Sequence, residues 1–239
     1  MRIAVLVKQV PKFEEMELGA DGRLRREGVE LEMNPYCRRA VAKAVELASE
    51  LDARVTVFTM GPPSADDVLR EAIAWGLARD VDIDGVLITD PVYAGSDTIR
   101  TAAVLANALD QTGPFDLVLA GRNSVDADTG QVAPQVAELL DLPFLTGVRH
   151  LEISDEGVRA RCELDDGWLD AEVALPTVLS CAERLIDPAK VDPDDRALVS
   201  DHRIAMRSHS DIGSLEVGTN PRTVVGDVRV IAAQREHES

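Results

Sequence analysis

The feature that most constrains this chain is a rhythm of short apolar runs alternating with amphipathic stretches. "RIAVLVK" (2–8), "RVTVFTM" (54–60), "GVLITD" (85–90) and "FDLVLA" (115–120) are continuous apolar segments rich in β-branched residues. Such runs suit strands buried on both faces, because a strand open to water on one side alternates instead. Between them, residues 36–51, 64–76, 96–111 and 129–140 carry apolar side chains three and four positions apart, the spacing of a helix with one buried face. This alternation predicts βαβ units and an α/β fold built on a parallel sheet, since parallel neighbours need a crossover. "SADD" at 64–67, "GSDT" at 95–98 and "DTGQ" at 128–131 offer side chains that can cap the helices they precede.

After residue 143 the pattern changes. "TGVRHLEIS" and "EGVRARCEL" alternate, "DDG" at 165–167 marks a tight turn, and "WLDAEVALPTVLSC" resumes as strand, so an antiparallel extension of the sheet is expected. From Asp187 onward, prolines and charges leave no sustained period. So long a weakly patterned segment is either disordered or lies on something else. Its spaced apolar residues Ile204, Met206, Ile212, Leu215 and Val224 favour a partner surface.

Charge argues against two classes of partner. Lys+Arg total 25 against Asp+Glu 43, a formal net charge of -18, and a nucleic-acid backbone or an anionic membrane surface would be repelled. Lysine is scarce, confined to Lys8, Lys12, Lys43 and Lys190. The three cysteines, Cys37, Cys162 and Cys181, form no C-x-x-C pair, which fits a reducing compartment. With no run of 18 apolar residues, membrane insertion is not expected and a cytoplasmic location is.

Catalytic signatures are missing: there is no G-x-G-x-x-G after the first run, no G-x-x-x-x-G-K-[ST], no G-x-S-x-G and no H-E-x-x-H. The histidines, His150, His202, His209 and His237, are scattered without metal-ligand spacing. What remains are loops at the C-terminal ends of the parallel strands, where open α/β sheets bind their ligands. The most informative is "AGRNSVDADTGQVAPQVAELL" at 120–140. It is either punctuation between strand and helix or a cradle for phosphate, since loop amides and a helix start present unpaired N–H groups to an anion. Its aspartates oppose the second reading unless they cap amides or meet a hydroxyl. "MNPYC" at 33–37 is a helix entry with Pro in its first turn, a ligand contact, or both.

Several segments, in order and spacing, resemble the β subunit of electron transfer flavoproteins, including bacterial FixA-type relatives. They are "VLVKQVP", "MNPYCRRAVAKAVEL", "LREAIAWG", "AGSDTIRTAAVLANAL", "DLVLAGRNSVDADTGQVAPQVAELLDLP" and "ALPTVLSCAERLIDP". The resemblance covers residues 1–188 well, and the tail loosely through "DIG" and "GTNPRTVV". It implies a Rossmann-like, adenine nucleotide alpha hydrolase-like domain over 1–186 and an extended C-terminal arm over 187–239 that contacts an α subunit. It also implies AMP, or a second FAD, in this chain and FAD in the partner α subunit. Electrons would pass from a flavin-dependent or other dehydrogenase to a quinone oxidoreductase or another acceptor, with no catalytic residue in this chain.

Carried over by position, the nucleotide site comprises Leu6 and Met60 at two strand ends, and Asn34, Pro35, Tyr36 and Cys37 beside the adenosine. Around phosphate and ribose it adds Gly121, Arg122, Asn123, Ser124, Val125, Asp126, Asp128, Thr129, Gly130, Gln131 and Val132. On this reading Asp128 caps the helix at 129–140 and Asp126 orders the loop, leaving the Thr129, Gly130 and Gln131 amides for the anion. The chain departs from the family at 187–203, "DPAKVDPDDRALVSDHR", which is acidic where relatives are lysine-rich and leaves Leu198 as the anchor for a partner dehydrogenase. A dedicated dehydrogenase is therefore expected. A stand-alone universal-stress-type ATP/AMP-binding module is the alternative, but it would lack "MNPYC" and the arm. An adenylating ATP-pyrophosphatase would need a Ser-Gly-Gly-rich loop where this chain has "KQVPKF".

Overall fold

A computed structural model describes residues 1–20, 24–25, 28–154, 156–213 and 228–235. The first apolar run forms β1 (Arg2–Leu6), after which the chain turns aside into an antiparallel pair, β2 (Gln9–Pro11) and β3 (Leu31–Met33). It then enters α1 (Pro35–Leu51), whose first position is a proline that lacks an N–H the helix would not have used. The alternation continues through β4 (Arg54–Met60), α2 (Asp66–Leu77), β5 (Ile83–Ile88), α3 (Thr98–Thr112), β6 (Leu117–Gly121) and α4 (Val132–Leu139).

β1 is central to this part of the sheet. It pairs in parallel with β4 on one side and β6 on the other, so that Leu6 lies opposite both Phe58 and Ala120. The chain thus runs outward from β1 through β4 to β5, then crosses back to β6. Successive β1 residues point to opposite faces, as a strand requires. Ile3 and Val5 join Val41 of α1 and Ile73 of α2 in one buried cluster, while Ala4 and Leu6 join Leu109 of α3 and Val136 of α4 in the other. Full burial on both faces explains why these strands read as unbroken apolar runs.

The remainder of the chain departs from the expected layout in one important respect. β7 (Phe144–Ser154), β8 (Gly157–Leu164) and β9 (Gly167–Val173) form the expected antiparallel extension, with the turn at Asp165 and Asp166. β10 (Thr177–Cys181) does not extend it; the strand inserts between β6 and β7, parallel to both. "WLDAEVALPTVLSC" is therefore two strands in different environments, separated around Pro176, which has no N–H for a ladder. All five β10 residues are buried, whereas β9 is mostly half-buried.

The segment after Asp187 carries more structure than its pattern suggests. It contains α5 (Pro193–Ala197), β11 (Ile204–Arg207), α6 (His209–Ile212) and β12 (Val228–Arg235). β11 adds in parallel to the outer side of β5, and β12 adds antiparallel to β9 at the opposite end. Among the described residues the principal sheet runs β11-β5-β4-β1-β6-β10-β7-β8-β9-β12. Ile212 is buried, and its carbonyl accepts from Gln111 of α3 at 2.8 Å, whereas Met206 is exposed. Leu215 and Val224 lie outside the described residues. Helices of five and four residues and single edge strands are too short to write a period into sequence, which is why this region read as irregular.

The helix starts divide. Asp97 caps α3 as expected, accepting from the Arg100 amide at 2.8 Å. In "SADD", Ser64 and Ala65 belong to a short 3-10 turn (Pro63–Ala65), Asp66 and Asp67 already open α2, and no side chain caps that helix.

Candidate functional site

The reversal between β4 and β6 places β1 at a topological switch point, the position at which open α/β sheets bind their ligands. Three chain segments converge there. The first is the end of β1, where Val7 donates to the Phe58 carbonyl at 2.9 Å and Lys8 then leaves the ladder. The second is the start of α1, and the third is the loop from Gly121 to Gln131.

Gly121 allows the close approach of the last two. A Cβ at this position would lie 2.7 Å from the Tyr36 Cβ and 3.0 Å from the Cys37 amide nitrogen, closer than packed atoms tolerate. Asn34 then ties the helix start to the loop. Its fully buried side chain donates to the Asn123 carbonyl at 2.8 Å and accepts from the Val125 amide at 3.2 Å. It also donates to Cys37 Sγ at 3.3 Å, so Asn34 spends its side chain across the crevice and does not cap α1.

A second tie comes from β1. Lys8 Nζ donates to both Asp126 carboxylate oxygens, at 2.7 and 2.8 Å, and to Ser124 Oγ at 3.2 Å. The Ser124 hydroxyl donates to Asp126 Oδ1 at 2.6 Å, and the Asp126 side chain is wholly shielded from solvent. Lys8 was not among the expected site residues. The scarcity of lysine was its signal, since one of only four lies at the end of the central strand.

Asp128 does not cap α4, contrary to the sequence expectation. The helix begins at Val132 with Gln131 before it and no side-chain cap. Asp128 stands earlier in the loop with a left-handed backbone (φ 48°), and its carboxylate accepts from the Asn123 side chain. Its amide donates to the Ser124 carbonyl at 2.7 Å. Three residues then separate it from the helix, the middle one being Gly130 at φ 61°. Among the described residues the Thr129 and Gly130 amides make no hydrogen bond, and the Gln131 amide has only a long contact to Thr129 Oγ1 at 3.4 Å. Unpaired amides leading into a helix start form a concavity suited to an anion.

The other expected residues frame this centre. Leu6 is buried on the α3 and α4 side of the sheet, and Met60 and Val132 pack partly buried against the same cluster. Cys37 belongs to the opposite face, so the crevice straddles the sheet end. Arg122 continues the β6 ladder by donating its amide to the Cys181 carbonyl at 3.0 Å, while its guanidinium faces Glu163 at 3.8 Å. Tyr36 donates its hydroxyl to Glu183 at 2.9 Å, and burial, then this bond, raises the phenol above its usual range. Burial likewise pushes the Cys37 thiol up, so it is a neutral, inert group here.

The sequence matches the family described as "Electron transfer flavoprotein domain" over residues 21–205. The chain belongs to the electron transfer flavoprotein family. It is 36% identical over 215 residues to the caffeyl-CoA reductase-Etf complex subunit CarD of Acetobacterium woodii, covering 89% of this chain and 80% of that one. It is 38% identical over 189 residues to an electron transfer flavoprotein subunit beta of Thermoanaerobacterium thermosaccharolyticum, covering 79% and 70%. Protein FixA of Bradyrhizobium diazoefficiens is 33% identical over 191 residues, covering 77% and 65%. No helix among the chain's described residues is long and apolar enough to cross a membrane.

Proposed function

We propose that this chain is the β subunit of a heterodimeric electron transfer flavoprotein and holds an adenine nucleotide, AMP or a second FAD, in the crevice at the end of β1. The observation that carries this reading is the convergence of Lys8, Asn34 and the 121–131 loop at the switch point of an electron transfer flavoprotein fold. The donor set fits the ligand. The Thr129 and Gly130 amides are free to donate to an anion just before α4, and the close approach at Gly121 brings α1 against the loop.

The protein residues position and shield; they perform no acid, base or nucleophilic step. Flavin, when bound in the complex, supplies the redox chemistry, with FAD held by the α subunit in either case. Leu6 and Met60 would offer apolar surface, Asn34 fixes the two walls relative to each other, and the loop amides would hold the phosphate. Electrons pass from a flavin-dependent or other dehydrogenase, through the heterodimer, to a quinone oxidoreductase or another acceptor in the cytoplasm. A relative named as a subunit of a caffeyl-CoA reductase-Etf complex supports a dedicated dehydrogenase for this chain too. The arm after Asp187 is assigned to the α-subunit and dehydrogenase contacts.

The test is to co-express the chain with its α subunit, purify the complex and quantify the nucleotides released on denaturation. One FAD with one AMP marks simple transfer, and two FAD mark a β-bound flavin. Gly130→Pro removes an unpaired amide and forces a φ near −65° where the backbone sits at 61°, so the complex should keep its α-subunit FAD and lose the β nucleotide. Unchanged nucleotide content in that variant would reduce the loop to a strand–helix connection.

A further inference from the structure

The first turn of α1 is tied into the site by two side chains. Asn34 bonds the loop after β6, as described above. The Tyr36 hydroxyl donates to Glu183 Oε1 at 2.9 Å, across 147 residues of sequence. Glu183 stands two residues beyond β10, whose last residue, Cys181, lies opposite Gly121 in the parallel ladder. The Arg122 amide, donating to the Cys181 carbonyl at 3.0 Å, carries that pairing one residue further. The start of α1 and the ends of β6 and β10 are thus stitched together. Tyr36 lies against the stitch, since a Cβ on Gly121 would come within 2.7 Å of the Tyr36 Cβ.

We propose that Glu183 is a positioning residue of the nucleotide site, holding Tyr36, and with it the first turn of α1, against the start of the 121–131 loop. The inference rests on the nucleotide-binding reading above. A tyrosine pairs an apolar ring with one polar tip, so the partner of its hydroxyl decides where the ring stands. Both partners keep the state this bond needs. Burial, then the Glu183 bond, raises the phenol, the charges of Glu183 and Asp128 add to this and Arg122 opposes it, so Tyr36 stays a donor at neutral pH. Burial acts to raise Glu183 as well. Bonds from its own amide and from Tyr36, with the charges of Arg122 and Arg39, outweigh that and hold its carboxyl below the usual range, so it stays an ionised acceptor. A hydrogen bond to such a group is stronger than one between neutral partners. With Glu183 cut back, Tyr36 loses its fixed direction and the turn is free to lift from Gly121. That loosens the wall beside the anion's seat, and binding geometry tolerates shifts of only about 0.5 Å.

The experiment uses the αβ complex freed of its β-site nucleotide, titrated calorimetrically with AMP. Glu183→Ala and Tyr36→Phe each remove one end of the bond, and each should weaken AMP by about five- to tenfold, as expected for one charge-assisted hydrogen bond that solvent reaches. The double variant should bind no more weakly than either single one, because both break the same bond. Glu183→Gln still offers a carbonyl oxygen and should bind AMP within about twofold of wild type. Unchanged affinity in Glu183→Ala, or losses that multiply in the double variant, would overturn the inference. So would a loss in Glu183→Gln equal to that in Glu183→Ala, which would assign the effect to the negative charge and not to the bond. A loss confined to Tyr36→Phe would mean that the hydroxyl meets the nucleotide itself, and would remove Glu183 from the site. A wild-type complex that binds no AMP refutes the nucleotide site, an outcome separate from all of these.

Discussion

Asn34 Nδ2 donates to the carbonyl of Asn123 across 89 residues of sequence, at 2.8 Å, from a side chain with no solvent exposure. Together with the bond its Oδ1 receives from Val125, this makes one amide group the hinge pin between α1 and the loop after β6. Asn34→Ala leaves the half-buried Asn123 carbonyl and Val125 amide without their partner, which should destabilise the complex by about 1–3 kcal/mol. The same variant should lose β-site nucleotide. Urea unfolding of the complex and quantification of released nucleotide check both outcomes; full nucleotide retention would sever the helix start from the site.

Gly121→Ala tests the close approach directly. Its Cβ would meet the Tyr36 Cβ at 2.7 Å, and because the Cys37 backbone lies at 3.0 Å behind it, neither side chain rotation nor a small shift relieves the contact. α1 must move off β6. A cost of about 1–3 kcal/mol is expected for such overpacking, with weaker nucleotide binding. Wild-type stability and binding would show that the two elements are less tightly apposed than the structure has them.

The parallel core was legible in the sequence because burial on both faces writes unbroken apolar runs, and β4 occupies the whole of the expected 54–60. β10 was not recognised as a central strand, because it follows β9 with only three residues between and no helix to announce a crossover. The position of the site was legible from the "AGRNSVDADTGQ" loop, but its internal bonding was not. Asp128 and Gly130 both adopt left-handed backbone, which delays α4 to Val132, and nothing in a helical pattern starting at 129 reveals such a detour. Lys8 and Asp126 are 118 residues apart, so their pairing exists only after β1 and β6 have become neighbours.

The three thiols should be silent in the folded protein. Burial pushes Cys181 up to about 12 and Cys162 up to about 11, and raises Cys37 as well. Iodoacetamide at pH 8 should therefore label none of them in the native complex and all three after denaturation. The linkage has a definite sign. A thiol whose folded value lies above its ordinary value of 9.0 holds its proton in the native state after the unfolded chain has released it. Each such thiol then erodes stability as pH rises through 9, by about 1.4 kcal/mol per pH unit once the unfolded thiol is ionised. Cysteine-to-serine or -alanine variants should show a shallower alkaline decline in urea midpoint; an identical slope would exclude the thiols as its cause.

Leu198 is 83% exposed at the end of α5, and the chain around it is firmly held. Arg196 donates to Asp67 at 2.9 Å and lies 3.1 Å from the buried carboxylate of Glu71, which also accepts from Arg38 at 2.6 Å. On the other flank Arg70 donates to the Val199 carbonyl at 2.7 Å. Burial acts to lower the Arg38 guanidinium, but the bonds and charge of Glu71 and Glu32 outweigh it and leave it raised, so the Arg38 guanidinium stays charged at any physiological pH. If Leu198 is the dehydrogenase anchor, α2 is its mount. Leu198→Ala should then leave the melting transition within about 0.5 kcal/mol of wild type, yet weaken docking of the cognate dehydrogenase by about 30-fold, as for a typical hot-spot residue. Glu71→Ala removes the shared acceptor of two guanidinium groups and should cost about 3–5 kcal/mol of stability. Arg196→Ala keeps Leu198 but releases its mount, so docking should fall although the anchor is still present. Stopped-flow reduction of the complex by the dehydrogenase, over a range of concentrations, separates docking from electron transfer. A Leu198→Ala complex reduced at the wild-type rate at every concentration would remove this face from the electron path.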